Sequence, residues 1–166
     1  MMKMDREEMP NLKIEVHHSP FTITDIIETV LKKQVSSGEY YSLYSVAHEV
    51  MLLHYKKMVG LIPLDATSHE LVHSDKIQIP VSMVFGNVEQ FIDEYETFLS
   101  YNMKQKAKLA TKYDVDILKP KFIYVNGDEE ELLTIDELEK VIDKKRTIEK
   151  SEKMKKKDLE NELNNI

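Results

Sequence analysis

A chain of 166 residues, 42% of them hydrophobic, is long enough for one domain with a buried core and short appendages. The absence of cysteine excludes disulfide bonds and thiolate chemistry, and no apolar run approaches the roughly 20 residues that a membrane-spanning helix needs. The net charge of −7 opposes binding to a polyanion over the whole surface, so a nucleic-acid function would need a local cationic site.

The first predicted elements are a strand and two helices. After a polar lead-in at residues 1–11, polar and apolar side chains alternate over residues 12–16, which is typical of a half-buried strand. Apolar residues then recur with helical spacing over residues 22–33 and 42–57, so two helices are expected there. A pair of histidines separates the strand from the first helix.

The middle of the chain predicts a second strand and a third helix. The strand is expected at residues 61–64, and the helix that follows it should start near residues 65–67. The rest of the chain predicts, in order, an extended segment at residues 77–80, a helix over 88–112, a strand at 122–125, and a helix opened by the capping box of Thr134 and Glu137.

Four of the six histidines form two close pairs, and their spacing indicates a metal site. His69 and His73 are four residues apart in a predicted helix, so both can direct a ring nitrogen at one ion. His17 and His18 are adjacent in or after a strand and point to opposite sides, so one can be a ligand and the other a base. Three imidazoles around Zn²⁺ would leave a fourth position open for phosphate or water.

Two stretches of the sequence, Ile14–Phe21 and Gly60–His73, resemble the HNH (His-Me finger, ββα-metal) endonucleases, and most of all the colicin-type DNases. The resemblance covers about a third of the chain. It implies a His-His pair on one strand, a second strand, and a helix with His-x-x-x-His. It also implies that His17, His69 and His73 bind the metal, while His18 is the general base that activates the attacking water.

The sequence departs from that family pattern at two positions of the expected site. Gly60 stands where the family has an asparagine that orients the base, so Asn87 or a backbone carbonyl would have to replace it. The arginine that commonly contacts the scissile phosphate is missing, since arginine occurs only at two distant positions, and Lys76 could serve as a point charge. His54 lies on the apolar stripe of the second helix, either as a core histidine or in support of the site.

These observations predict an α+β, mostly helical fold: a ββα-metal finger with an inserted helix pair and a helical C-terminal extension. The predicted units are a lead-in at 1–11, a finger-like domain at 12–85 with the helical insertion at 19–58, an extension at 86–146, and a charged helical tail at 147–166. A run of eight basic and three acidic residues from Lys144 to Asp158 overlaps the start of this tail, and we expect the tail to be an assembly contact for a second copy or a protein partner.

The predicted function is a metal-dependent endonuclease that hydrolyses nucleic-acid phosphodiester bonds, with DNA favoured over RNA as substrate. The expected cofactor is a divalent metal ion, with Zn²⁺ or Ni²⁺ preferred over Mg²⁺ or Mn²⁺. The alternative is a non-catalytic regulatory or binding protein that keeps the scaffold stapled by a metal. We expect a cytoplasmic protein with no membrane partner. An excess of lysine over arginine, with many Ile, Asn and Glu residues, indicates an AT-rich bacterial or phage genome.

Overall fold

The structure is a computed structural model, and it describes residues 13–38, 41–127 and 129–144 together with the single residues 147, 151 and 154. The predicted lead-in at 1–11 and most of the predicted tail at 147–166 lie outside these described residues. The described part has an α+β architecture in which helices predominate and the strands form two small sheets, which confirms the predicted fold class. The division into domains stays a prediction.

The first sheet joins two strands that are distant in sequence. Strand β1 (Ile14–His18) pairs antiparallel with β2 (Leu61–Asp65), and the helices α1 (Ile23–Ser36) and α2 (Leu43–Tyr55) lie between them in the chain. Two helices are therefore present between these strands, as predicted. The first strand was expected at 12–16, but it includes both histidines, because pairing with β2 continues to a bond from Ser19 N–H to the Gly60 carbonyl (3.1 Å).

Helices α1 and α2 begin where their side chains can satisfy free backbone N–H groups. Thr22 and Ser42 each form a capping box, in which the cap hydroxyl accepts from the backbone of the third helical residue, and that residue's side chain accepts from the cap backbone. The two helices pack on each other through Glu49, whose carboxylate accepts hydrogen bonds from Lys33 (2.7 Å) and Gln34 (2.7 Å).

Helix α3 (Ala66–His73) starts immediately after β2, as predicted, with no intervening loop. Asp65, the last residue of the strand, caps the helix by accepting from the backbone N–H of Thr67 (2.9 Å) and of Ser68 (3.1 Å). The helix is fixed against the sheet by the buried residues Ser68 and Leu71. The position of α3 relative to β1 and β2 is therefore set within a few residues of the chain.

The second sheet has the order β3-β4-β5 and is antiparallel throughout. Its strands are β3 (Ile77–Gln78), β4 (Phe122–Asn126) and β5 (Glu129–Leu133). The helix over residues 135–144 follows β5, and the predicted capping box is present, since Thr134 N–H donates to Glu137 (2.8 Å). The 122–125 strand and the start of this helix are thus confirmed.

The single helix predicted over residues 88–112 is wrong. The chain forms α4 (Val88–Tyr95), a short 3-10 turn (Glu96–Phe98), and then α5 (Tyr101–Thr111). Leu99 has extended backbone, and the Ser100 hydroxyl accepts from Met103 N–H (3.2 Å), which starts a new helix. The apolar periodicity continues through the break, because residues on both sides of it are buried, and periodicity alone could not reveal it.

The buried apolar residues form two clusters. One is made by α1, α2, α4 and α5, with members such as Val30, Val50, Phe91 and Met103. The other lies between β2, α3 and the second sheet, and its members are Ile62, Leu64, Leu71, Ile77, Ile79, Phe122, Tyr124, Leu133 and Leu138. Val84 packs against both clusters.

Candidate metal centre

Three histidine rings from β1 and α3 converge on one point. The candidate ligand atoms of His17, His69 and His73 all lie within 4.8 Å of one another. Their ring centroids are 4.4 to 4.9 Å apart, and each pair of rings is close to perpendicular, with interplanar angles of 81° to 89°. The structure therefore brings together all three residues that the sequence predicts as ligands.

Glu15 fixes the orientation of one of these rings. Its Oε2 atom lies 2.8 Å from Nδ1 of His69. A carboxylate accepts, so the proton of a neutral His69 sits on Nδ1, and Nε2 carries the lone pair. Nε2 of His69 lies 3.1 Å from Nε2 of His73, at the point where the rings meet. A carboxylate behind a ligand histidine is the usual support of metal-binding imidazoles.

His17 is held in the neutral form that a metal ligand requires. It is 5% exposed, and burial, followed by the neighbouring His73 and His69, lowers its pKa to about 4. A neutral imidazole has a lone pair on one ring nitrogen, so near neutral pH no proton competes with a metal ion for that nitrogen.

The donor set fits a divalent ion of the zinc type. A tetrahedral ion with Zn–N bonds of about 2.0 to 2.1 Å separates its ligand nitrogens by roughly 3.3 Å, and the two Nε2 atoms of α3 are already 3.1 Å apart. Nitrogen ligands suit Zn²⁺ and Ni²⁺ better than Mg²⁺, which prefers oxygen. Three protein donors would leave one position for a water or a substrate oxygen.

His18 is not a member of this trio, and it contacts His54 instead. The two Nε2 atoms are 3.1 Å apart, and Nδ1 of His54 lies 2.7 Å from the Val50 carbonyl oxygen. The carbonyl can only accept, so the proton of a neutral His54 is on Nδ1, and its Nε2 accepts from His18. The nitrogen of His18 that remains free to take a proton is therefore Nδ1.

Burial, with a smaller effect of His54, lowers the pKa of His18 below its ordinary value. The ring is therefore neutral near pH 7, which is the form that a general base needs. The sequence leaves two roles open for His54, a core histidine or a supporting residue of the site. In the structure, His54 fixes the tautomer of His18.

A narrow cleft opens beside the histidines. It contains His17, His18 and His73, and among the described lysines and arginines only Lys106 of α5 lines it. Asp75 lies at the same cleft, and its Oδ1 is 3.2 Å from the Lys106 ammonium. The described residues that line it are His17, His18, Ser19, Pro20, Thr22, Val72, His73, Asp75, Ile77, Gln78, Ile79 and Lys106.

Two supporting residues expected from the sequence are not in the cleft. Lys76 is exposed and does not line it. Asn87 caps α4 instead, with Oδ1 accepting from Gln90 N–H (3.2 Å). The structure therefore does not bring either residue to the position expected for the missing arginine or asparagine.

Gly60 has a packing reason of its own. A Cβ atom there would collide with the carbonyl oxygen of Ser19, and would also lie 2.6 Å from side-chain carbons of Val84 and Val88. Ser19 N–H donates to the Gly60 carbonyl, so this close approach belongs to the β1-β2 pairing that places the His pair. Asparagine could not fit at this position without displacing the backbone that carries His18.

Glu15 and Lys106 are the site residues that sequence reasoning missed. A signal for Glu15 was available, because residues two apart in a strand share a face, and Glu15 therefore lies on the side of His17. No comparable signal exists for Lys106, which is distant in sequence from every other member of the cleft and reaches it only through the packing of α5.

No helix of the described chain is long and apolar enough to cross a membrane. No curated protein and no solved structure matches the chain. A family model of bacteriophage virion proteins does match it, over residues 1–165, which confirms the phage association expected from the composition. The chain belongs to the bacteriophage G278-like virion protein family.

Proposed function

We propose that this virion-family protein is a metal-dependent endonuclease that hydrolyses phosphodiester bonds of nucleic acid, with DNA as the first substrate to test. The observation that supports it most strongly is the pairing of a three-histidine donor set with a fourth, separately oriented histidine beside one cleft. A structural metal site needs the first feature but not the second.

His18 is the general base of the proposed reaction. His54 holds its Nε2 proton, so Nδ1 accepts the proton of a water molecule at the cleft. The water oxygen then attacks phosphorus in line, a new P–O bond forms, and the bond to the leaving oxygen breaks. A positioned base of this kind contributes about 10²- to 10⁴-fold to a rate.

The trio of His17, His69 and His73 would hold the ion, and Glu15 would keep His69 in the binding tautomer. A divalent ion bound there supplies a Lewis acid that polarises the phosphate and stabilises charge on the leaving oxygen. Lys106 takes the role of the arginine that HNH endonucleases commonly use, as the cation for a non-bridging phosphate oxygen. Because an ammonium is a point charge, it binds without the two-pronged geometry of a guanidinium.

A non-catalytic role is the second candidate, and family membership favours it. A component of a phage particle can use a metal only to fasten β1 to α3, without turnover. In that case His18 and His54 would be a half-buried hydrogen-bonded pair with no catalytic role. We place the protein with the virion rather than free in the cytoplasm, since the matched family consists of virion proteins.

Metal content followed by cleavage distinguishes the two candidates. Purified protein would be analysed for bound metals, stripped with a chelator, and reloaded separately with Zn²⁺, Ni²⁺, Mn²⁺ and Mg²⁺. Supercoiled plasmid and a single-stranded RNA would then be incubated with each form, with His18→Ala as the matched control. Metal-dependent cleavage by the wild type and its loss in His18→Ala would support the enzyme. Metal binding with no cleavage of either substrate would support the non-catalytic candidate, in which the metal has only a structural role.

A further inference from the structure

The ion pair between Asp75 and Lys106 lies at the proposed phosphate position. The carboxylate and ammonium are 3.2 Å apart, and both residues line the cleft that contains His17, His18 and His73. The Lys106 side chain is 28% exposed, while that of Asp75 is 64% exposed. The Asp75 carboxylate is therefore the more exposed member of the ion pair, beside the cation that an incoming phosphate would meet.

The backbone conformation at Asp75 does not by itself require a carboxylate. Asp75 follows the C-cap residue Ser74 of α3 and has a φ of 53°, in the left-handed region. Glycine is the usual residue at such a position, and aspartate is one of the few other residues that tolerate it. Glycine would adopt this backbone conformation at least as well. What aspartate adds is a negative charge beside Lys106.

A carboxylate beside the phosphate-binding cation discriminates between anions by charge. A phosphodiester carries one negative charge, whereas a phosphomonoester carries between 1.5 and 2 near pH 7, as a phosphorylated side chain does. Lys106 attracts both anions, but Asp75 repels the monoester more strongly because the monoester carries more negative charge. Repulsion of the wrong ligand is a common source of specificity.

We propose that Asp75 is a specificity-determining residue, which restricts this cleft to phosphodiesters by excluding phosphomonoesters and inorganic phosphate. This inference rests on the proposed function for its biological meaning, but the selectivity itself can be measured by binding alone. The site is then expected to act on internal linkages. The terminal phosphates that cleavage produces should bind weakly, so that product does not accumulate in the cleft.

The test uses the full chain, with dimethyl phosphate as the monoanionic probe and inorganic phosphate at pH 8 as the dianionic probe. Affinities would be measured by NMR titration of the metal-free protein, and again after loading with Zn²⁺. Asp75→Asn removes the charge and keeps a residue that tolerates positive φ. Asp93→Asn is the control, because Asp93 is an exposed aspartate of α4 that does not line the cleft.

The wild type should bind dimethyl phosphate more tightly than inorganic phosphate. Asp75→Asn should shift this ratio toward inorganic phosphate by about tenfold, the size expected for one nearby, partly screened charge. Asp93→Asn should leave the ratio unchanged, and Lys106→Gln should weaken both ligands. An unchanged ratio in Asp75→Asn, or equal shifts in the two aspartate variants, would overturn the proposal, as would the lack of any binding by the wild type.

The outcomes for the proposed function are separate. If the metal-loaded wild type cleaves no nucleic acid but the Asp75→Asn ratio shifts as expected, the endonuclease proposal fails and the anion selectivity stands. If cleavage occurs and the ratio does not shift, the reverse holds.

Discussion

Glu15 Oε2 and His69 Nδ1 are 2.8 Å apart, across the gap between the first strand and the third helix. The contact joins two residues that are more than fifty positions apart in the chain, at the position where His69 contributes to the three-histidine cluster. Glu15 also pairs with Lys13, and that contact lowers its pKa, so the carboxylate is ionised and accepts at neutral pH.

We expect Glu15→Gln to lower metal affinity by about 10- to 100-fold, the usual effect of removing the partner of a ligand histidine. The amide oxygen can still accept from Nδ1, but it lacks the charge that strengthens the ring's other nitrogen as a donor. Competition with a chromophoric chelator measures the affinity. Glu70→Gln, an exposed change on α3 outside the trio, is the control. Equal affinities for wild type and Glu15→Gln would remove Glu15 from the site.

Zn²⁺ and Ni²⁺ should bind more tightly than Mg²⁺, because three imidazoles make a nitrogen-rich donor set. Binding should weaken as the pH falls toward about 4, since a proton then competes for the ligand nitrogen of His17. Calorimetry on the wild type and on His73→Ala checks both statements. Identical heats for the two proteins would contradict the role of His73, and a preference for Mg²⁺ would contradict the donor assignment.

The sequence predicts this site better than it predicts the helices around it. Spacing places His69 and His73 on one helix face and separates His17 from His18, because both patterns follow from local backbone geometry. The interruption at Ser100 leaves the apolar pattern intact, so a single long helix was expected there. Contacts made by tertiary packing alone, such as the approach of Lys106 to the cleft, have no local pattern to reveal them.

His18→Ala should retain the metal and the fold, and lose about 10²- to 10⁴-fold in cleavage rate. His54→Ala should lose less, because His54 acts through the tautomer of His18 and touches no substrate. A His54→Gln variant can accept from His18 through its side-chain oxygen, so it should recover part of the rate. Single-turnover cleavage with a fixed amount of bound metal gives these rates. A His18→Ala protein that cleaves like the wild type would refute the assignment.

Gly60→Asn tests whether this position accepts the asparagine that the resemblance to HNH endonucleases leads us to expect there. We expect it to destabilise the protein by more than about 3 kcal/mol, the upper end of ordinary overpacking, because the added Cβ collides with backbone at Ser19 rather than with a movable side chain. Urea unfolding measures the loss. Gly38→Asn is the matched control, since a Cβ added at Gly38 would meet no atom of the described residues, and its positive φ is one that asparagine tolerates. A folded Gly60→Asn protein with raised cleavage would show that the asparagine of the HNH endonucleases can be accommodated at this position.

The metal-free protein should lose stability as the pH falls from about 6.5 to about 4. In the folded state the pKa of His17 is about 4, whereas an unfolded chain takes up that proton near 6.5. Between these values the unfolded state binds more protons, so the free energy of unfolding decreases with decreasing pH, by at most about 1.4 kcal/mol per pH unit for one group. His18, whose pKa is also lowered, adds to the slope in the same direction.

Urea unfolding at several pH values, with a chelator present, measures this slope. His17→Gln cannot take up the proton in either state, so its unfolding free energy should depend less on pH over the same window, even though the variant is less stable at pH 7. His48→Gln, which changes an exposed histidine of α2, should leave the slope unchanged. If His17→Gln keeps the wild-type slope, the folded protein binds a proton at His17 as readily as the unfolded chain does, and the buried neutral ligand inferred for the metal centre is wrong.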